Sequence, residues 1–428
     1  MDWQNVTLRG EPHSPVPDDP FLEDWRAIKS IRDFWAMLSR GGLPRVCTPV
    51  VKEAGKGLRA KIGRALVRFK AGGLRHSAYW ALLLPPLHAM AGTLHGFHQD
   101  LGYRGSQWDT RANLVAAIGS KVSRTTAVWS SYEVTQGEIE WAYLDGAIAA
   151  IRNARMTPLI TISSSPQWAN GSPDRWVVPG TDQTDPLFDA WVSNYVNWVD
   201  ALVSRYSNDV ERWELWNEQD QHHFWKQGGT SGHECLACYV EWYAAVRDRI
   251  LSIQTNAQVA VGGVVDNYTR NDGDWTSFFL RDLITVYSAK VDYVAFHAYD
   301  QDSPLQDTLW QNNFTNVRDL RENLNNAGLS RVPIWITEWG WYTSQWSEST
   351  RASYMQAAFE MMRGNPDWNV DLTCYFFDID TPDYPDAGVF DEAMNPKPIL
   401  VDTWSEQACY DEQQDTTAPN PPRGLGVR

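Results

Sequence analysis

Positive charge is in short supply in this chain. Against 53 Asp and Glu stand 37 Lys and Arg, a net charge of −16 and a pI near 5.0. A surface with that balance repels phosphate, so nucleic acid is excluded as a partner. Cysteine is scarce as well, and five of them build no disulfide framework. Cys235 and Cys238 form a Cys-x-x-Cys with His233 two residues ahead. No second pair stands at zinc spacing, which argues against a metal and for a loop disulfide or two plain thiols. No metal or cofactor is expected. Long apolar runs are missing too. The stretch from Ala78 to Leu87 is short and interrupted by Pro85-Pro86, so it cannot span a bilayer.

The shortage of basic residues is uneven. Up to Ala91 there are 14 Lys and Arg against 8 Asp and Glu, so this part carries +6 and the remainder −22. That change marks a boundary. We read residues 1–91 as an N-terminal extension, 92–410 as a catalytic domain and 411–428 as a linker. Within the extension, Lys70 and Arg75 precede the apolar run, and Ala89-Met90-Ala91 follows it. A basic flank, an apolar segment and an Ala-x-Ala are the order of a secretory signal. The signal-like segment, about residues 70–91, leads to the expectation of a secreted protein whose true start lies inside this sequence. The other reading of the segment is an amphipathic lead-in.

Tryptophan, by contrast, is abundant at 23 residues. Two of the Trp-rich stretches end in carboxylates. Trp213-Glu214-Leu215-Trp216 has the bulky residues of a buried strand and switches abruptly to Asn217-Glu218-Gln219-Asp220. Pro333-Ile334-Trp335-Ile336-Thr337 ends in Glu338, followed by Trp339-Gly340-Trp341. An acid held against tryptophans is poorly solvated, which raises its pKa and suits a general acid near neutral pH. Two glutamates closing two strands are what glycoside hydrolysis needs, one as acid/base and one as nucleophile.

Strand and helix patterns alternate from Gly92 onward. Strand candidates lie at Thr93–Asp100, Lys121–Trp129, Pro158–Ser163, the Trp213 stretch, Gln258–Gly263, Val291–His297, the Glu338 stretch and Leu372–Phe377. Helical patterns such as Ala142–Ala154, Leu187–Tyr206 and Tyr239–Gln254 separate them. Eight strands in this rhythm predict a parallel sheet closed into a (β/α)8 TIM barrel. The spacing puts Glu218 after strand 4 and Glu338 after strand 7, at the carboxyl ends where such barrels carry their sites.

Trp216-Asn217-Glu218 and, three strands later, Ile336-Thr337-Glu338-Trp339-Gly340 resemble the retaining glycoside hydrolases of clan A. The resemblance is nearest to family thirty-nine and its endoglycosidase-like relatives, with family five next, and covers about residues 92–405. It implies a carbohydrate substrate, Glu218 as acid/base and Glu338 as nucleophile. It further implies that Asn217 bonds the sugar 2-hydroxyl and that Arg124 holds the nucleophile carboxylate. His297 would line the sugar site, with Tyr299 bonding the nucleophile. An internal ion pair of Arg124 with Glu214 is the plainer reading of Arg124, and the two are compatible.

Strand alternation sends Asn217 and Glu218 to opposite faces, so a bulge is expected there. Trp129, Trp168, Trp339 and Trp341 are candidate sugar platforms, and His98 on strand 1 is a further substrate-binding candidate. Where the clan often has a tryptophan floor after strand 8, this chain has Tyr375-Phe376-Phe377, so the floor should be Phe or Tyr. The tail from Asp415 to Leu425 resembles the start of a fibronectin type III module, which points to a further C-terminal module, of that type or carbohydrate-binding, as a partner domain. Three functions are compatible with these residues: a retaining polysaccharide hydrolase, an exo-acting β-xylosidase or arabinosidase, and an inactive carbohydrate-binding barrel.

Overall fold

A computed structural model describes residues 93–101, 107–221, 223–227, 235–265, 275–299, 313–341 and 346–415. The extension 1–91 and the tail from residue 416 lie outside the described residues, as does His233.

Eight parallel strands close into a barrel. They are β1 (Leu94–His98), β2 (Val122–Val128), β3 (Thr157–Ser163), β4 (Arg212–Asn217), β5 (Gln258–Val265), β6 (Tyr293–Tyr299), β7 (Ile334–Gly340) and β8 (Val370–Phe376). Closure is made by β1 pairing with β8 from Leu94–Leu372 to His98–Phe376. The expected (β/α)8 architecture is therefore the observed one. Around the barrel run α1 (Trp108–Ala117), α2 (Ala142–Asn153), α3 (Pro186–Tyr206), α4 (Leu236–Ile253), α5 (Trp275–Thr285), α6 (Asn313–Asn326), α7 (Glu348–Gly364) and α8 (Pro398–Asp415). Helix α8 runs five residues past the expected domain end at 410. None of the described helices is long and apolar enough to cross a membrane.

Local chemistry accounts for the elements. The run Thr157-Pro-Leu-Ile-Thr-Ile-Ser163 is buried along nearly its whole length, as both faces of a parallel strand should be. Helix α3 starts where Asp185 accepts a hydrogen bond from the Leu187 N–H and Pro186 occupies the first turn. Its buried residues, Phe188, Trp191, Tyr195, Trp198, Val199, Leu202, Val203 and Tyr206, fall three or four apart and so form one stripe.

Inside, the barrel is layered. Val122, Leu159, Ala260, Ala295, Trp335, Leu372 and Cys374 fill the amino-terminal end with apolar side chains. Above that plug lies a polar layer built on Glu214, and above it the mouth. Between β4 and the helices α3 and α4, Trp191, Trp216, Trp225, Trp242 and Tyr195 pack ring against ring at centroid distances of 5.0–6.4 Å. Much of the tryptophan surplus is thus packing material. Cys235 and Cys238 form a disulfide where α4 begins, the loop-disulfide alternative of the sequence reading.

Candidate active site

Glu214 anchors the polar layer. Its carboxylate accepts from Arg124 Nε at 2.6 Å, Thr161 Oγ1 at 2.5 Å, Thr337 Oγ1 at 2.8 Å and the Gly263 N–H at 3.0 Å. Four donors satisfy the oxygens of a carboxyl that has no contact with solvent. Arg124, itself without solvent exposure, spreads its remaining donors upward. Nη1 donates to Glu338 at 2.5 Å and to His98 Nδ1 at 2.6 Å, and Nη2 donates to Asn217 Oδ1 at 2.8 Å. The Arg124–Glu214 pair and the Arg124–Glu338 contact therefore coexist. Because arginine only donates, His98 accepts through Nδ1 and its proton sits on Nε2.

Glu338 is 8% exposed and Glu218 16%. One oxygen of each, together with a ring nitrogen of His297, lies within a 4.8 Å circle. An approach of the two carboxyls this close is compatible with the roughly 5–5.5 Å separation of a retaining pair. His297 stands between the two: Nδ1 is 2.8 Å from Glu218 Oε1, and Nε2 is 3.7 Å from Glu338 and 4.0 Å from Glu214. Tyr299 donates to Glu338 Oε2 at 2.5 Å.

These contacts drive the two acids apart. Burial raises the pKa of Glu218, and His297 only partly opposes it. Burial acts on Glu338 as well, but His297, Arg124 and Tyr299 outweigh it and hold that carboxyl below the ordinary range. His297 is lowered by burial yet ends above its usual value, because Glu338 and Glu218 favour its cation. His98 goes the other way. Burial and Arg124 keep it neutral. Glu218, His297 and Glu338 have donor types a cation accepts, but both Glu338 oxygens already receive hydrogen bonds from Arg124 and Tyr299. The Arg124 charge at 2.5 Å opposes a metal ion there.

Asn217 and Glu218 reach the mouth by a different device from the expected bulge. The β4–β5 register stays in step, Leu215 with Val261 and Asn217 with Gly263. Instead Trp216 and Glu218 adopt positive φ, 79° and 50°, which breaks the alternation of side chains. The register shift falls on Glu338's side. Phe296 pairs with Ile336 and His297 with Glu338, so Thr337 is the extra residue on β7. That is how Thr337 and Glu338 both bond inside the barrel.

Phe376 and Phe377 stand at the end of β8, where the sequence reading puts a Phe or Tyr floor. The peptide between them is cis, their rings stack at 3.9 Å, and both lie against His98 at 5.4 and 5.0 Å. Tyr384 packs on both rings, a residue the sequence did not single out. Neither were Thr161, Thr337 and Gly263, which saturate Glu214.

Three tryptophan platforms are corrected. Trp129 is buried outside the barrel wall, stacked on Trp198 at 5.6 Å, with Nε1 donating to Glu133. Trp339 follows the inward Glu338 and so turns outward onto Tyr375, Phe359 and Trp404. Trp341 is buried against Tyr354 and Trp339. Trp168 is half-buried at the rim, and Nε1 donates to the Glu133 carbonyl.

Two carboxyls with oxygens within 4.8 Å in the mouth of a (β/α)8 barrel, one pushed up and one held down in pKa, fit a clan A glycoside hydrolase. The chain belongs to glycosyl hydrolases family 39, which it matches over residues 128–363. Among solved structures it is similar to a monomeric β-xylosidase from Caulobacter crescentus, 20% identical with a TM-score of 0.54, covering 73% of this chain and 67% of that one. It is also similar to a family 39 glycoside hydrolase from the gut symbiont Bacteroides cellulosilyticus, 17% identical, TM-score 0.56, covering 76% and 65%. A GH5_18 protein from Streptomyces cattleya in complex with Manβ1-4GlcNAc is 15% identical, TM-score 0.58, covering 77% and 83%. At these identities the likeness carries the fold alone. The chain spans about two-thirds of the length of these family 39 structures. No curated protein matches it.

Proposed function

We propose that this protein hydrolyses β-glycosidic bonds with retention of configuration, using Glu338 as nucleophile and Glu218 as acid/base. The observation that carries this is the 4.8 Å grouping of Glu218, His297 and Glu338 oriented by Arg124 and Tyr299. Glu338, kept ionised, attacks the anomeric carbon while Glu218 gives its proton to the departing oxygen. The glycosyl ester that results is opened by water, whose proton returns to Glu218. Asn217, its Oδ1 held by Arg124, keeps its amide N–H groups for a sugar hydroxyl. We assign His98 Nε2–H to a sugar hydroxyl, and Phe376 and Phe377 to the apolar face of the ring.

The substrate we favour is a polysaccharide or oligosaccharide and the setting extracellular, a reading supported by the signal-like segment at about 70–91. A second reading, an exo-acting β-xylosidase, is favoured by the likeness to the Caulobacter crescentus structure. An inactive carbohydrate-binding barrel has little support, since an intact acid pair with opposed pKa shifts is of no use to a lectin.

Two variants test the reading. Glu338→Ala should abolish turnover of every glycoside. Glu218→Ala should still cleave dinitrophenyl glycosides in the first step, because that aglycone leaves without a proton. Added azide should then restore turnover of Glu218→Ala and give a β-azide, since it attacks the covalent intermediate. In Glu338→Ala, azide replaces the missing carboxylate and should give the α-azide. The opposite pair of products would reverse the two roles. A screen of plant and bacterial polysaccharides against short xylosides and arabinosides separates the substrate readings.

A further inference from the structure

We propose that Asp220 is a positioning residue for Glu218, fastening the acid/base segment to the end of β5 so that the Glu218 carboxyl rests on His297. This rests on the reading of Glu218 as acid/base.

The chain leaves β4 at Asn217 and is then stitched to β5 residue by residue. The Glu218 N–H donates to the Gly263 carbonyl at 2.8 Å, Gln219 Nε2 to the Gly262 carbonyl at 2.9 Å, and the Val265 N–H to Asp220 Oδ2 at 3.0 Å. The first two stitches lie on adjacent glycines, where β5 shifts register against β6 between Val261 and Val264. Among the described residues, only the Asp220 stitch lies beyond that shift. It grips Val265, the residue paired with His297 across β5 and β6. His297 Nδ1 in turn lies 2.8 Å from Glu218. The path Glu218–Asp220–Val265–His297–Glu218 is thus closed, and Asp220 is the link that ties the acid/base loop to the strand carrying its partner.

The surroundings of Asp220 also specify its charge. Its side chain is fully buried, and among the described residues Oδ1 has no hydrogen-bond partner. Oδ2 has the Val265 N–H, with Gln221 Nε2 at 3.4 Å. One good donor is little support for a buried anion, which favours the acid form. Burial and then Glu218 push its pKa well above the usual carboxylate range, with His297 opposing. Tyr239 of α4 also faces it, but gives its hydroxyl hydrogen to the Leu215 carbonyl. Glu218 itself faces His297, Glu338 and Arg124. A neutral Asp220 leaves the ionisable charge of this loop to Glu218 alone.

Position and charge separate by substitution. Asp220→Asn keeps a neutral acceptor for the Val265 N–H. It should retain wild-type kcat/KM within about threefold for sugar and dinitrophenyl aglycones alike, with the alkaline limb of the pH profile unmoved. Asp220→Ala removes the stitch. For a sugar aglycone, which needs the acid, kcat/KM should fall by about tenfold or more, and for the dinitrophenyl glycoside by less than about threefold. An equal fall on both aglycones would overturn the proposal, making Asp220 merely structural. So would a tenfold loss in Asp220→Asn with the alkaline limb moved to lower pH, because that shows the anion was required. The Asn variant decides the point even if the Ala variant fails to fold. A readout without turnover is the infrared carbonyl band of a protonated carboxyl near neutral pH. Its intensity should fall in Asp220→Asn relative to the wild type, the remainder belonging to Glu218 and Asp100, and an unchanged band also overturns the proposal. If Glu218→Ala shows no dependence on the aglycone, the acid/base reading fails, a result separate from all of these.

Discussion

Arg124 cannot be exchanged for lysine without changing the site. Its fork reaches Glu214, Glu338, His98 and Asn217 at once, and a single ammonium cannot reproduce that geometry. Arg124→Lys should keep a folded barrel and lose on the order of 10–100-fold in kcat/KM, measured on an activated glycoside. Arg124→Ala leaves two buried carboxylates without their partner and should cost about 3–5 kcal/mol of stability, read from denaturant unfolding. The pH profile belongs to this scale as well. Glu338 must be ionised and Glu218 protonated for the first step. With Glu338 held low and Glu218 raised, kcat/KM should be bell-shaped. Its acid limb should lie below, and its alkaline limb above, the ordinary carboxylate range. In Arg124→Lys the acid limb should move to higher pH if the cation no longer lies against Glu338. A profile with both limbs in the ordinary range would count against the electrostatic account. The acids themselves were legible in the sequence, because each closes an apolar run beside tryptophan. The tryptophan platforms were not. Whether Trp339 lies over the cleft or under a helix depends on which way Glu338 faces, and the residue type is the same in both cases.

At the level of the element, β5 has the least freedom. A Cβ added at Gly263 would stand 2.1 Å from His297 Nε2 and 3.0 Å from Glu214 Oε1. His297 is buried and bonded to Glu218, so it has no room to yield. Gly263→Ala should therefore displace the imidazole, costing about 1–3 kcal/mol of stability from overpacking. Turnover should fall further than the stability loss explains, checked by comparing kcat with thermal unfolding. Unchanged kcat would mean that His297 is not required where it stands. Strand alternation in the sequence led to an expected bulge at Asn217–Glu218. The protein instead uses positive φ at Trp216 and Glu218, with register shifts on neighbouring strands, among them β5 and β7. Both devices depend on how neighbouring strands align, which a single strand's pattern does not record.

For the whole molecule, the buried carboxyls set a pH dependence of folding. Glu218, Asp220 and Asp100 have pKa values raised by burial. A group raised in the folded state contributes stability fully present below its unfolded pKa and lost as pH rises through the folded one. Glu338, lowered by its partners, behaves oppositely and loses its contribution as pH falls. Stability should thus decline from about pH 5 toward alkaline conditions, with a second loss in strong acid, followed by thermal unfolding. At this scale we also expect residues 1–91 to be dispensable. The barrel closes from Leu94 to Phe376 by its own strand pairs. Deleting the extension should leave a folded, active protein. Loss of soluble protein on deletion would mean that the extension is structural.

The sequence by itself determined the architecture and pointed to Glu218 and Glu338 as the acid pair. Alternating strand and helix patterns can be accommodated only by a parallel sheet covered with helices, and carboxylates at the ends of apolar strands fall at its mouth. Tertiary structure alone decided what surrounds those acids. The four donors on Glu214 come from β2, β3, β5 and β7, the ring on Glu218 comes from β6, and the floor comes from the end of β8. These groups lie tens to hundreds of residues apart in the chain. Closure of the barrel brings them within hydrogen-bonding distance, and only there does burial push the pKa of Glu218 up while His297, Arg124 and Tyr299 hold that of Glu338 down.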